Sequence, residues 1–276
     1  MKTSPIITRR EALKISLATA GALTLPHFSF GQAHAGSSQK LRLAFVGTGM
    51  QGTRNLQRLA NNKQVEVAAL CDADMAQMDK LIEKRELDAG IPQFQDFREL
   101  LEAMSAEIDA VVISTPDHNH YQLSSLALEQ GKHVYCEKPL CRTIGEVRAL
   151  ASEARNHPEL VTQCGNQGHS SDNFARFKDL YDAGLMGEVT EVYGWSGNLS
   201  SHWFGSRPNS FPPKVTPAPE TMNWPIWLGP AEDRPYYDGY HPRTWRPWFD
   251  FGCGLIGDVA VHTLDAAIYA MGLGVP

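Results

Sequence analysis

Cysteine is scarce and carries no pairing pattern. There are five, none in a C-x-x-C pair and none spaced with histidine as in a zinc site. A disulfide framework is therefore not expected, and Cys71, Cys136, Cys141, Cys164 and Cys253 read as buried free thiols. Positive charge is also short. Lys plus Arg number 25 against 31 Asp plus Glu, a net charge of −6, so a polyanion such as nucleic acid is a poor partner. No apolar run approaches the roughly 20 residues that a membrane helix needs. Internal repeats and low-complexity linkers are absent as well. What is left, with 42% hydrophobic and 20% charged residues in 276, is a globular chain of one large or two modest domains.

The first 35 residues read as an address. Thr8-Arg9-Arg10-Glu11-Ala12-Leu13-Lys14 resembles a twin-arginine export motif, a short apolar run follows over 15–25, and Ala33-His34-Ala35 is an A-x-A cleavage site. The chain is expected to engage the twin-arginine export machinery and to reach the periplasm. That route carries folded proteins, so thiols and a cofactor would be enclosed before export.

A nucleotide fold follows, over 36–160. Residues 41–46 read as a buried strand and run into Gly47-Thr48-Gly49-Met50-Gln51-Gly52, a G-x-G-x-x-G. A helix to about 61 and a second strand over 65–71 come next, ending at Asp72 about twenty residues on. Strand, glycines, helix, strand and terminal acid stand in register for a dinucleotide. The glycines allow a tight turn and close approach of a pyrophosphate, and the helix N-terminus faces the phosphates. Asp72 would accept hydrogen bonds from a ribose and repel a 2′-phosphate, which favours NAD over NADP. Alternation continues with helices over 75–88, 97–104, 118–130 and 143–156, and strands over 109–114 and 133–136. The class is α/β, a Rossmann doubly wound parallel sheet, with its ligand at the carboxyl ends of the strands.

Those strand ends carry Thr115-Pro116-Asp117-His118-Asn119-His120 and Glu137-Lys138-Pro139. With the glycine motif they resemble the glucose–fructose oxidoreductase / inositol dehydrogenase (Gfo/Idh/MocA) family. Gly257-Asp258-x-x-x-His262-x-x-Asp265 resembles that family's D-x-x-x-H element, and Thr162-Gln163-Cys164-Gly165-Asn166-Gln167 the opening of its second domain. The resemblance implies Lys138, Asp258 and His262 as catalytic residues, with Lys138 and His262 handling the proton and Asp258 orienting His262. The cofactor-binding set is then Gly47 to Gly52, Asp72, Thr115, Pro116, Asp117, His120, Glu137, Lys138, Asn166 and Gln167. His118 and His120 share a metal-like spacing but have no further ligands nearby in sequence, so no metal is expected. Asp258 and His262 are four apart and share a face if their segment is helical.

All six tryptophans fall between 195 and 251, in a proline-rich stretch expected to be ordered but irregular. Arg243, Trp245 and Arg246 are the candidate substrate residues there, since aromatic faces stack on sugars and guanidinium groups grip hydroxyls or carboxylates. Packing across a boundary is an equal alternative for the aromatics. In the second domain, 161–276, only 188–197 reads as a strand. The resemblance implies a large open sheet here, so a C-terminally incomplete α/β domain is expected; because that sheet commonly forms the family's subunit interface, a homo-oligomer is expected for the full-length protein. The function implied is an exported NAD-dependent oxidoreductase acting on a sugar or polyol hydroxyl, with a tightly held cofactor. An NAD-dependent redox-neutral glycoside hydrolase, or a nucleotide-binding protein without turnover, stays open.

Overall fold

The structure, a computed structural model, describes residues 40–196 and 210–274. The export motif, the cleavage site and Trp203 lie outside the described residues.

Six parallel strands form one sheet: β1 (Leu41–Val46), β2 (Val65–Cys71), β3 (Gln93–Phe94), β4 (Ala110–Ile113), β5 (His133–Glu137) and β6 (Thr162–Gly165). Their spatial order is β3-β2-β1-β4-β5-β6, the doubly wound Rossmann arrangement. The order reverses between β1 and β4, which opens a crevice at their carboxyl ends. Because β6 pairs with β5 through Cys136 opposite Cys164, the sheet runs past residue 160.

Strand alternation sorts the core into two layers. Ala44, Val46, Ala69, Val111, Ile113 and Val134 point to one face, where the helices α3 (Phe97–Met104), α4 (His120–Glu129) and α5 (Ile144–Asn156) cover them. Leu43, Phe45, Leu70 and Val112 point to the other, under α1 (Met50–Ala60) and α2 (Met75–Arg85). Helices on both faces leave little of the sheet for water, which is why its strands are short apolar runs.

Helix starts differ in one respect that bears on function. Asp74, Asp96 and Thr143 cap α2, α3 and α5 with their side chains, Thr143 in a reciprocal box with Glu146. Helix α1 starts at Gly49 with no side-chain cap, so its first-turn N–H groups are left for something else.

Beyond β6 the described residues form α6 (Asp172–Asp182), the short α7 (Trp224–Leu228), a π-turn over Ile256–Ala260 and two short helices, Val261–Thr263 and Asp265–Met271. The expected strand at 188–197 is not formed over its described part, 188–196. A strand needs a hydrogen-bonding neighbour, and no further strand follows β6 among the described residues. Two of the thiol expectations also change. All five cysteines are free, but Cys164 is exposed and Cys253 only half-buried. Cys164 sits on β6, an edge strand whose first three residues are uncovered.

The aromatic stretch builds a small core of its own. Trp227, Tyr236, Tyr240, Trp245 and Phe251 are buried together. Trp224 stacks on Trp227 at 4.9 Å, and Tyr240 meets Phe251 edge-on at 5.0 Å. Packing therefore accounts for most of these rings.

Candidate active site

A cavity of about 770 Å³ opens at the carboxyl ends of the strands, between the sheet and residues 225–262. At its centre lies the glycine turn. Gly47 has φ +81°, open to glycine and strained for other residues. A Cβ on Gly52 would stand 1.8 Å from the Gly47 carbonyl oxygen, so only glycine lets α1 approach β1 this closely. The uncapped N-terminus of α1 thus opens on the cavity, with Gly49, Met50 and Gln51 in its wall.

One end of the cavity is organised by Asp72. Its Oδ2 accepts from Thr48 N at 2.7 Å and Thr48 Oγ1 at 3.1 Å, and its Oδ1 accepts from Asp74 N at 3.0 Å. Burial pushes the Asp72 carboxyl upward, opposed by these donors. Gln77, Lys80, Gln95, Phe97 and Arg98 line the same end. Arg98 is held by Asp96 at 2.6 Å.

The other end gathers Thr115, Pro116, Glu137, Lys138, Gln167, Asp258 and His262. Glu137 is buried and fully engaged: Oε1 accepts from Asn55 at 2.9 Å and Gln51 at 3.2 Å, and Oε2 from Gln167 at 2.7 Å. That network ties α1, β5 and the turn after β6 together beneath Lys138. Lys138 Nζ donates to Asp258 Oδ1 at 2.5 Å and to the Asp258 carbonyl at 3.0 Å. Arg246 Nε stands 3.6 Å from Asp258 Oδ2, and its guanidinium lies over the Trp245 ring at 4.5 Å. Burial, then the Lys138 charge, pulls the His262 pKa below its usual 6.5, partly offset by Asp258. His262 is accordingly held toward its neutral form.

The residues fit a dinucleotide. An anion-ready helix start, an acid at the β2 end and a glycine cradle that a Cβ would fill lie along one cavity. Among the described residues Thr115 Oγ1 is buried without a hydrogen-bond partner, a donor left for a ligand at the end that holds Lys138 and His262.

Profiles of one family match most of the chain: the oxidoreductase family, NAD-binding Rossmann fold, over residues 41–163, and its C-terminal alpha/beta domain over 174–274. The chain belongs to the Gfo/Idh/MocA oxidoreductase family. It is similar to inositol 2-dehydrogenase of Salmonella typhimurium, 27% identical over 205 residues, covering 74% of this chain and 58% of that one. Scyllo-inositol dehydrogenase from Lactobacillus casei, solved with bound NAD(H) and scyllo-inositol, is 27% identical with a TM-score of 0.50, covering 55% of this chain and 44% of that one. An NAD-binding protein from Listeria innocua shares the fold at 21% identity, TM-score 0.54, over 84% of this chain and 55% of that one. The chain spans about half the length of these relatives.

Within this Gfo/Idh/MocA fold, several expected roles move. No hydrogen bond joins Asp258 to His262 among the described residues; Asp258 acts on the ring through its charge. A cation that donates to both its side chain and its main chain outcompetes a neutral ring, so Asp258 holds Lys138. His120 is not a groove residue. It is buried, with Nδ1 2.7 Å from the Pro139 carbonyl and Nε2 2.9 Å from that of Thr115. Burial opposes a charge there. Cys136, Asp117 and the Pro139 carbonyl outweigh it and push the pKa up to about 10. His120 thus pins the backbone of both strand-end motifs from below. Asn166 lies outside the cavity wall too, donating to the Val261 carbonyl and to Asp265 Oδ2 at 2.7 Å. Thr48 and Gly52 act from behind, through Asp72 and the close approach of α1. Arg243, Trp245 and Arg246 do line the cavity. Among the described residues no cluster could hold a metal.

Proposed function

We propose that the chain carries the site of an NAD-dependent oxidoreductase that removes hydrogen from a hydroxyl-bearing carbon of a sugar or polyol. What carries the reading is the convergence of Lys138 and His262 on the cavity that also holds the uncapped α1 start and Asp72. NAD, when bound, accepts a hydride. The chain supplies the rest. His262, kept neutral by burial and the Lys138 charge, takes the hydroxyl proton. Lys138, held by Asp258, donates a hydrogen bond to the substrate oxygen as it becomes a carbonyl. Arg246 and Trp245 flank the same end and suit a hydroxyl-rich ring. The two inositol dehydrogenases named above support a polyol substrate.

The leader at Arg9-Arg10 supports export with the cofactor already enclosed. Free NAD is scarce outside the cytoplasm, so an exported enzyme retains its nucleotide through the cycle and passes the hydride to a second substrate or returns it to the first. The test is to denature purified mature protein and quantify released nucleotide. Near-stoichiometric NAD or NADH, with little steady-state reduction of added NAD by one sugar, is the expected result. An empty protein that freely turns over added NAD refutes retention. Release of a chromogenic aglycone without net reduction refutes the dehydrogenase reading.

A further inference from the structure

The wall opposite Asp72 comes from far along the chain. Immediately after β2, residues 73–75 are hydrogen-bonded to 221–223: Met75 N donates to Thr221 O at 3.0 Å and Asn223 N to Ala73 O at 2.8 Å, around a bridge between Asp74 and Met222. Gln95 Nε2 closes the corner on the carbonyls of Ala73 and Thr221. Asp74 does more than cap α2. Its carboxylate also accepts from Thr221 Oγ1 at 2.6 Å and from His241 Nε2 at 3.0 Å. Those hydrogen bonds, His241 first among them against the cost of burial, hold the Asp74 carboxyl far below the usual range.

His241 and Asp74 are 11% and 5% exposed at their side chains. The ring is braced edge-on by Trp227 at 6.2 Å, and it lines the cavity with Asp72, Ala73 and Gln77. Nε2 is taken by Asp74. Nδ1 has no hydrogen-bond partner among the described residues.

We propose that His241 is a cofactor-binding residue: anchored on Asp74, it faces Asp72 across the adenosine end of the groove and hydrogen-bonds the adenosine ribose through Nδ1. A ribose hydroxyl both donates and accepts, so it pairs with that nitrogen in either form of the ring. The carboxylate fixes the ring's orientation, as a second partner does for a ligating histidine. The dinucleotide is then gripped at one ribose from both walls, by Asp72 from the sheet and by His241 from the aromatic stretch. This rests on reading the groove as the NAD site and says which residue outside the Rossmann half completes it.

Calorimetric titration of the full chain with NAD, ADP-ribose and nicotinamide mononucleotide tests this. In His241→Ala the Kd for NAD and ADP-ribose rises by about tenfold or more, the scale of one lost hydrogen bond to a ligand. The Kd for nicotinamide mononucleotide stays within about twofold. His241→Gln, which can still donate to Asp74 but lacks Nδ1, shows the same selective loss. Unchanged ADP-ribose binding in His241→Ala overturns the proposal. So does equal weakening of all three ligands, which marks collapse of the wall, or full recovery in His241→Gln, which makes His241 an anchor only. If the unaltered protein binds no NAD, the reading of the groove fails first and is seen to fail before any variant is compared.

Discussion

His118 offers a test in which fold and acid sensitivity meet. Its ring is buried against Trp227 and Phe251, with centroids 5.2 Å from each. Nδ1 lies 3.3 Å from the Phe251 carbonyl, Nε2 lies 3.0 Å from the Trp227 carbonyl, and Asn119 Nδ2 stands 3.2 Å from Nε2. A neutral ring can donate to only one of the two carbonyls and offers its other nitrogen to Asn119, so the carbonyls favour the charged ring and burial opposes it. Burial pulls its pKa down to about 4 from 6.5. Between those values the unfolded chain binds a proton that the folded one refuses. Stability therefore falls as pH drops from 6.5 toward 4, by about 1.4 kcal/mol per unit at the steepest and about 3 kcal/mol in all. Roughly 2 kcal/mol of it is gone by pH 5. His118→Gln removes the titration at a cost of about 1–3 kcal/mol at pH 7, for lost packing and hydrogen bonding. The assay is urea unfolding of both proteins at pH 7 and pH 5. The variant should be clearly weaker at pH 7, and the gap should close or reverse at pH 5. His120 titrates in the opposite sense in both proteins and drops out of the difference. A gap that is the same at both pH values would refute the burial argument.

Four further outcomes follow from the site. Gly52→Ala should abolish measurable NAD binding or lower its affinity by more than about tenfold, because the new Cβ displaces α1 from the Gly47 carbonyl; a fluorescence titration decides it, and wild-type affinity would refute the close-approach role. His262→Ala or Lys138→Met should lower turnover by about a hundredfold or more, while calorimetry still shows NAD bound. In the unaltered enzyme the acid limb of kcat/KM should then fall below pH 6.5, given the depressed His262 pKa. Asp72→Ser should narrow the preference for NAD over NADP by about tenfold, since it removes the carboxylate that repels a 2′-phosphate; parallel titrations of the two nucleotides measure it.

The Rossmann half was legible because its signals are local. An apolar run between glycines has one role when a helix follows and an acid ends the next strand, and each feature is satisfied by neighbours a few residues away. The layer split of Leu43 and Phe45 against Ala44 and Val46 is period-two alternation, readable along any strand. Lys138, Asp258 and His262 were found through a motif that matches a known family, and all three reach one cavity.

Partnership was decided by tertiary structure. Asp258 stands four residues from His262, yet it bonds Lys138 across 120 residues, because the choice is made by which charge the fold brings within reach. His120 looks like a groove residue from its motif and is instead a pin under two carbonyls, since which way a ring faces depends on the loop packed over it. Asp74 and His241 are 167 apart, and nothing in the tryptophan-rich stretch marks one histidine among its aromatics. The residues at 188–196 have a strand's composition without a strand's partner. Local sequence thus set where the chain turns, which faces are apolar and where an uncapped helix start meets the cavity. Long-range packing alone set which acid holds which base and what closes the groove, since hydrogen bonds and ion pairs form between groups that folding makes adjacent.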